Sequence, residues 1–197
     1  MDYDQISLHL KRAVMAAEDA GFTDHGGVDW DAIQSARQKN ERRQAQADRR
    51  AEQIERRLAK KPEAAEAAVK AIKPPKISGG STITQQLAKN LLLSGERNLL
   101  RKGQELVLTL MLEALLSKQR ILEIYLNSVE WGEGVFGAEA AAQRYFNKSA
   151  AKLSPNEAAR LAVMLPSPKF FETRQGSAYL VRRTSSIVAQ MSAVQAP

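Results

Sequence analysis

The 197-residue chain carries a net charge of +7, no cysteine and only two histidines. Without cysteine there is no disulfide framework, thiolate metal site or cysteine nucleophile, and His9 and His25 alone argue against a histidine-rich metal centre or a serine–histidine triad. A chain of this length buries one good core, so one domain with at most a smaller lobe is expected.

The positive charge is local. Positions 37–73 hold 12 basic and 6 acidic side chains, whereas the remainder holds 17 and 16. Such a segment suits anionic partners, either nucleic acid or lipid headgroups. It lacks interleaved aromatics, so a solvated helical face is the better reading and no nucleic-acid partner is expected. No apolar run approaches the roughly 18 residues of a membrane span, and the opening Met-Asp-Tyr-Asp-Gln does not read as a signal peptide.

In chain order, residues 6–22 predict an amphipathic helix ending near Gly21, with Leu10, Val14, Ala17 and Phe22 set against Lys11, Arg12 and Asp19. It carries the pair Glu18-Asp19, followed by Phe22, His25, Gly27 and Asp29. One carboxylate in a cleft can act as a general base, and a neighbouring carboxylate raises its pKa by like-charge repulsion. The same pair also fits a solvated acidic helix end. His25, in a glycine loop, reads as an orienting hydrogen-bonder rather than a proton shuttle. Residues 31–71 have high helix propensity but no core-forming stripe, which predicts an exposed helix pair broken at Lys61-Pro62 and closed by the linker Lys73-Pro74-Pro75-Lys76.

Gly79-Gly80-Ser81-Thr82 then runs into Ile83-Thr84-Gln85-Gln86-Leu87-Ala88-Lys89-Asn90. Thr82 and Gln85 fit a capping box, and Gln85, Gln86 and Lys89 share one helical face. On spacing alone this is either an anion-binding helix start or an ordinary loop-to-helix junction; the P-loop spacing is absent. The helix is expected to stop at Gly95. Arg97, Arg101, Lys102 and Glu105 follow, with Arg101 and Glu105 four apart. Positions 106–116, almost wholly apolar, predict a buried central helix. Further helices are expected over 118–127, 138–146, from Ser154-Pro155 to Leu165, and over 179–191 with Arg182 and Arg183 outward. A glycine loop at 130–137 separates the first two.

Five stretches together resemble the motifs of the peptidoglycan glycosyltransferases, glycosyltransferase family 51, in its monofunctional branch. The first is E-D-x-x-F-x-x-H-x-G-φ-D, met by Glu18, Asp19, Phe22, His25, Gly27, Val28 and Asp29. The second, G-G-S-T-I-T-Q-Q-x-x-K-N, covers positions 79–90. The third is R-K-x-x-E at Arg101, Lys102 and Glu105. The fourth, K-x-x-I-L-E-x-Y-L-N, covers 118–127 and is followed by the G-x-x-x-G-x-x-A-A-x-x-Y-F pattern. The fifth opens at Leu153-Ser154-Pro155.

This resemblance implies an all-α, lysozyme-like fold with a large globular lobe and a small membrane-facing lobe. It implies one glycosyltransferase domain over 1–190, a basic helical insertion at 37–76 and a tail at 191–197. The implied reaction is polymerisation of glycan from lipid II with inversion, the growing chain leaving undecaprenyl pyrophosphate as a β-1,4 bond forms. Glu18 and Glu105 are the implied catalytic carboxylates. The implied substrate-binding set is Asp19, Phe22, His25, Ser81, Thr82, Gln85, Gln86, Lys89, Asn90, Arg97, Arg101 and Lys102. A divalent cation, Mg²⁺ or Mn²⁺, is the only cofactor suggested, with Glu105 its candidate ligand. The implied partners are lipid II, the growing strand, the membrane surface and cell-wall synthesis proteins of division or elongation. The expected location is the periplasmic face of the inner membrane, where family members have an anchor that is not visible in this sequence. The alternatives are a lytic glycan-cleaving enzyme and a non-catalytic assembly scaffold.

Overall fold

Helix caps and helix breakers divide the chain into ten α-helices among the described residues. The computed structural model describes residues 1–75, 77, 79–93 and 99–197. The helices are α1 (Leu8–Glu18), α2 (Trp30–Arg57), α3 (Pro62–Lys70), α4 (Ile83–Leu92), α5 (Leu99–Leu115), α6 (Lys118–Ser128), α7 (Ala138–Phe146), α8 (Pro155–Met164), α9 (Pro168–Glu172) and α10 (Ala178–Gln190). Between α6 and α7, strands β1 (Glu130–Gly132) and β2 (Val135–Phe136) pair antiparallel, pairing Glu130 with Phe136 and Gly132 with Val135. The architecture is all-α, as expected. No helix among the described residues is long and apolar enough to cross a membrane.

The chain forms two units, Met1–Val28 with Ser81–Pro197, and Asp29–Gly80. In the first, α1 packs on α8 and α10, and α4 packs on α5 and α6. Leu10, Val14 and Met15 of α1, Ile83 and Leu87 of α4, Tyr125 of α6, Trp131 of β1 and Leu161 of α8 meet in one fully buried cluster. Gly137 starts α7 at φ +84°, and a Cβ there would stand 2.7 Å from the Asn127 carbonyl oxygen, so the motif glycine is required by both backbone and space. Ser154 and Glu157 form the expected capping box, with Pro155 in the first turn of α8.

The second unit is the helix pair expected from composition. Asp29 caps α2 by accepting from the Ala32 N–H at 2.7 Å, and the break falls at Lys61-Pro62. No side chain of α2 is buried. A Cβ on Gly80 would lie 3.0 Å from the Ile33 backbone, so this glycine serves close packing inside its own unit; neither it nor Gly79 adopts positive φ.

Two expectations need correction. The first helix ends at Glu18, not Gly21, because Asp19 leaves the helical region (φ −163°, ψ 76°) and turns its carboxylate to other partners. The helix expected to be buried at 106–116 lies in α5 and is only partly buried: Leu112, and Leu116 just beyond its end, pack against the core. Val107, Leu110, Met111 and Leu115 are exposed, while Glu105 and Thr109 are buried and Glu113 is half-buried. These three polar residues stand four apart and occupy one face. Thr109 Oγ1 donates to the Glu105 carbonyl at 2.7 Å, and Glu113 accepts from Thr84 at 2.5 Å and Lys118 at 2.8 Å, so the inward polar face is hydrogen-bonded. The expected helix stop at Gly95 lies outside the described residues.

Candidate active site

The end of α1, the loop that follows it and the start of α4 are joined by short hydrogen bonds. Asp19 accepts from His25 Nε2 at 2.9 Å and from the Ile83 backbone N–H at 2.9 Å. That N–H belongs to the first residue of α4, where the helix dipole favours a carboxylate. The Gly27 N–H donates to His25 Nδ1 at 3.2 Å, which places the imidazole proton on Nε2, facing Asp19. Thr82 Oγ1 donates to the Gly27 carbonyl at 2.7 Å while accepting from the Gln85 N–H. Gly27 itself stands at φ +92°, and a Cβ there would lie 2.7 Å from the Thr109 methyl.

These contacts divide the expected substrate-binding residues. Asp19, Phe22, Thr82 and Gln85 are buried, and His25 is largely so. Their polar atoms are used in positioning the loop and in the α4 cap. The Phe22 ring is covered by Lys118 Nζ, 4.5 Å from its centroid, and meets the His25 ring edge-on. Ser81, Lys89 and Asn90 are exposed. Lys89 makes no ion pair among the described residues.

Glu18, the last residue of α1, is half-buried. Its Oε2 accepts from Gln86 Nε2 at 2.9 Å, and Gln86 Oε1 accepts from the Tyr125 hydroxyl at 2.8 Å. Burial pushes the Glu18 pKa up, and the charge of Asp19 adds to this; the Gln86 amide, Arg183 and Lys89 pull it down. Burial likewise raises Asp19, against the His25 and Ile83 hydrogen bonds. The Glu18 carboxyl is therefore nearer to neutral pH than an exposed glutamate, while being offered a donor and two cations in its ionised form. Beside it, Gln86, Lys89 and Asn90 line a cavity of about 340 Å³ whose far wall includes Glu130, Phe136 and Leu165.

Arg101, Lys102 and Glu105 form a second group on α5. The buried Glu105 carboxylate pairs with Arg101 at 3.3 Å through one oxygen and with Lys102 through the other. A divalent cation at this carboxylate would compete with the two cationic side chains already paired to it, so these residues do not fit a metal there. Arg97 lies outside the described residues.

Two participants were not expected. Arg183, read as outward, is half-buried on α10 and close enough to Glu18 to favour its ionised form; Arg182 is exposed as expected. Tyr125, read as architectural, reaches Glu18 through Gln86. The three residues of that chain stand at positions 18, 86 and 125, so no local spacing could have linked them.

The family described as Transglycosylase matches residues 1–61 and 59–192 of this chain. Among curated proteins, the biosynthetic peptidoglycan transglycosylase of Herminiimonas arsenicoxydans is 51% identical over 195 residues, covering 99% of this chain and 71% of that protein. Its counterpart in Bordetella pertussis is 50% identical over 195 residues, covering 99% and 70%. The one from Azoarcus is 54% identical over 174 residues, covering 88% and 62%.

Proposed function

Since the chain belongs to the transglycosylase family and is a peptidoglycan glycosyltransferase, we propose that Glu18 is the general base of its polymerising reaction and that lipid II is its substrate. The 4-hydroxyl of the acceptor GlcNAc attacks C1 of the chain-terminal MurNAc. Its proton passes to Glu18, the C1–oxygen bond to undecaprenyl pyrophosphate breaks, and a β-1,4 bond forms with inversion. Negative charge develops on the departing diphosphate. Lys89, exposed beside the cavity, and the α5 cations Arg101 and Lys102 supply positive charge for it, and stabilising that charge is the larger catalytic contribution. Glu105 holds the two α5 cations in place. Phe22, His25, Thr82, Gln85 and Asp19 shape the site without touching substrate. The reaction takes place at the periplasmic face of the inner membrane, where the lipid substrate resides.

The observation that carries this reading is the surroundings of Glu18. A raised pKa alone serves a general acid, as in glycan cleavage, as well as a base. A glutamine amide donating to the carboxylate, with Lys89 and Arg183 near it, stabilises the proton-accepting form instead.

Labelled lipid II in detergent micelles tests it. Wild-type protein is expected to make polymer, Glu18→Gln to lose about 10²–10⁴-fold in turnover, and Lys89→Ala about 10²-fold with the fold retained. Polymer made by Glu18→Gln at the wild-type rate overturns the base assignment. Release of fragments from preformed glycan favours the lytic reading.

A further inference from the structure

Tyr125 is fully buried on α6, yet its hydroxyl is directed at the site rather than at a backbone group of its own helix. Its partner, Gln86, has one accepting and one donating end. An ionised carboxylate can only accept. While Glu18 is ionised, Gln86 must therefore turn its NH₂ toward Glu18 and its carbonyl away, toward a donor. The Tyr125 hydroxyl, 2.8 Å from Gln86 Oε1, is that donor. Burial and the charges of Glu18 and Asp19 hold the phenol pKa well above its usual value, so the phenol stays protonated across the working range.

We propose that Tyr125 is a positioning residue for the catalytic base: its hydroxyl locks the Gln86 amide in the one orientation that donates to Glu18, keeping that carboxylate ionised and aimed. This rests on the reading of Glu18 as the base. Without the hydroxyl, the amide can rotate and bring its carbonyl against the carboxylate, which disfavours ionisation. The charged groups facing Glu18 are Asp19 beside it in the chain, Lys89 on α4 and Arg183 on α10; Gln86 is the neutral donor among them. None of these charges is altered by a change at Tyr125, so the effect of the hydroxyl can be isolated.

The test is the pH dependence of kcat and KM for lipid II polymerisation by wild type, Tyr125→Phe, Gln86→Met and the double variant. Phenylalanine keeps the buried ring, and a melting curve checks the fold. In Tyr125→Phe the acid limb of kcat should move to higher pH by roughly one unit, with turnover on that limb down about tenfold and KM within about twofold. Gln86→Met should move the limb in the same direction, and adding Tyr125→Phe to it should move it no further. An unshifted limb in a folded Tyr125→Phe, or additive shifts in the double variant, overturns the proposal. Should Tyr125→Phe not fold, an unshifted limb in Gln86→Met overturns it equally. Glu18→Gln separates the two levels: retained polymerisation removes the base itself, whereas an inactive Glu18→Gln beside an unshifted Tyr125→Phe removes only the relay.

Discussion

Burial of the Glu18 carboxyl favours its protonated form, and the Gln86 amide, Arg183 and Lys89 work against it. Burial raises its pKa above the unfolded value. A carboxyl raised in this way contributes stability that is fully present below the unfolded pKa and is lost as pH rises through the folded pKa. Above its folded pKa the ionised side chain is therefore a destabilising element, and Glu18→Gln should raise the melting temperature there while turnover falls about 10²–10⁴-fold. The gain should shrink as pH falls into the carboxylate range, where wild-type Glu18 takes up its proton; calorimetric melting curves at neutral and acid pH measure both. An equal or lower melting temperature for Glu18→Gln at neutral pH would contradict the burial of this group. The residue types of the site could be read from the chain because their chemistry is local: a lone carboxylate pair, two amides, a lysine. That the Asp19 carboxylate anchors the start of α4 could not. It depends on which carboxylate meets the Ile83 N–H at 2.9 Å.

Among the elements, α4 and α5 show where spacing is informative and where composition misleads. Thr82 and Gln85 form the capping box that their spacing predicts, because a cap depends on residues three apart. In α5, the apolar run predicts burial and the structure buries only part of it: Leu112 packs on the core, while Val107, Leu110, Met111 and Leu115 are exposed. The inward face was set by Glu105, Thr109 and Glu113, whose partners Thr84, Lys118 and the Gly27 turn come from other segments. The outward apolar residues should then matter little to stability. Leu110→Gln and Met111→Gln should each stay within about 0.5 kcal/mol of wild type. By contrast, Thr109→Leu, which enlarges a fully buried side chain against Gly27, should cost about 1–3 kcal/mol. Urea denaturation of the three variants compares the faces directly, and a cost for Leu110→Gln exceeding that for Thr109→Leu would restore the buried-helix expectation.

For the molecule as a whole, the core of the first unit is what holds α1, α4 and α6 close enough for Glu18, Gln86 and Tyr125 to meet. Trp131 is fully buried at the hairpin, and its Nε1 donates to the Leu161 carbonyl of α8 at 3.1 Å. Trp131→Ala should cost about 3–5 kcal/mol, through lost burial, a cavity and an unsatisfied carbonyl. A thermal or urea melt measures it, and a loss below about 1 kcal/mol would mean that this part of the core is not shared by the rest of the unit. The amino-acid sequence by itself determined the helical class, the helix starts at Thr82 and Ser154, the break at Lys61-Pro62, the exposed helix pair and the motifs that mark the family. Each of these depends on residues a few positions apart, or on an ordered set of short patterns. Tertiary structure alone decided which face of α5 points inward, that Arg183 approaches Glu18, and that Gln86 joins Glu18 to Tyr125. Those are contacts between segments dozens of residues apart, and neither periodicity nor propensity records which side chains packing will bring within 3 Å of one another.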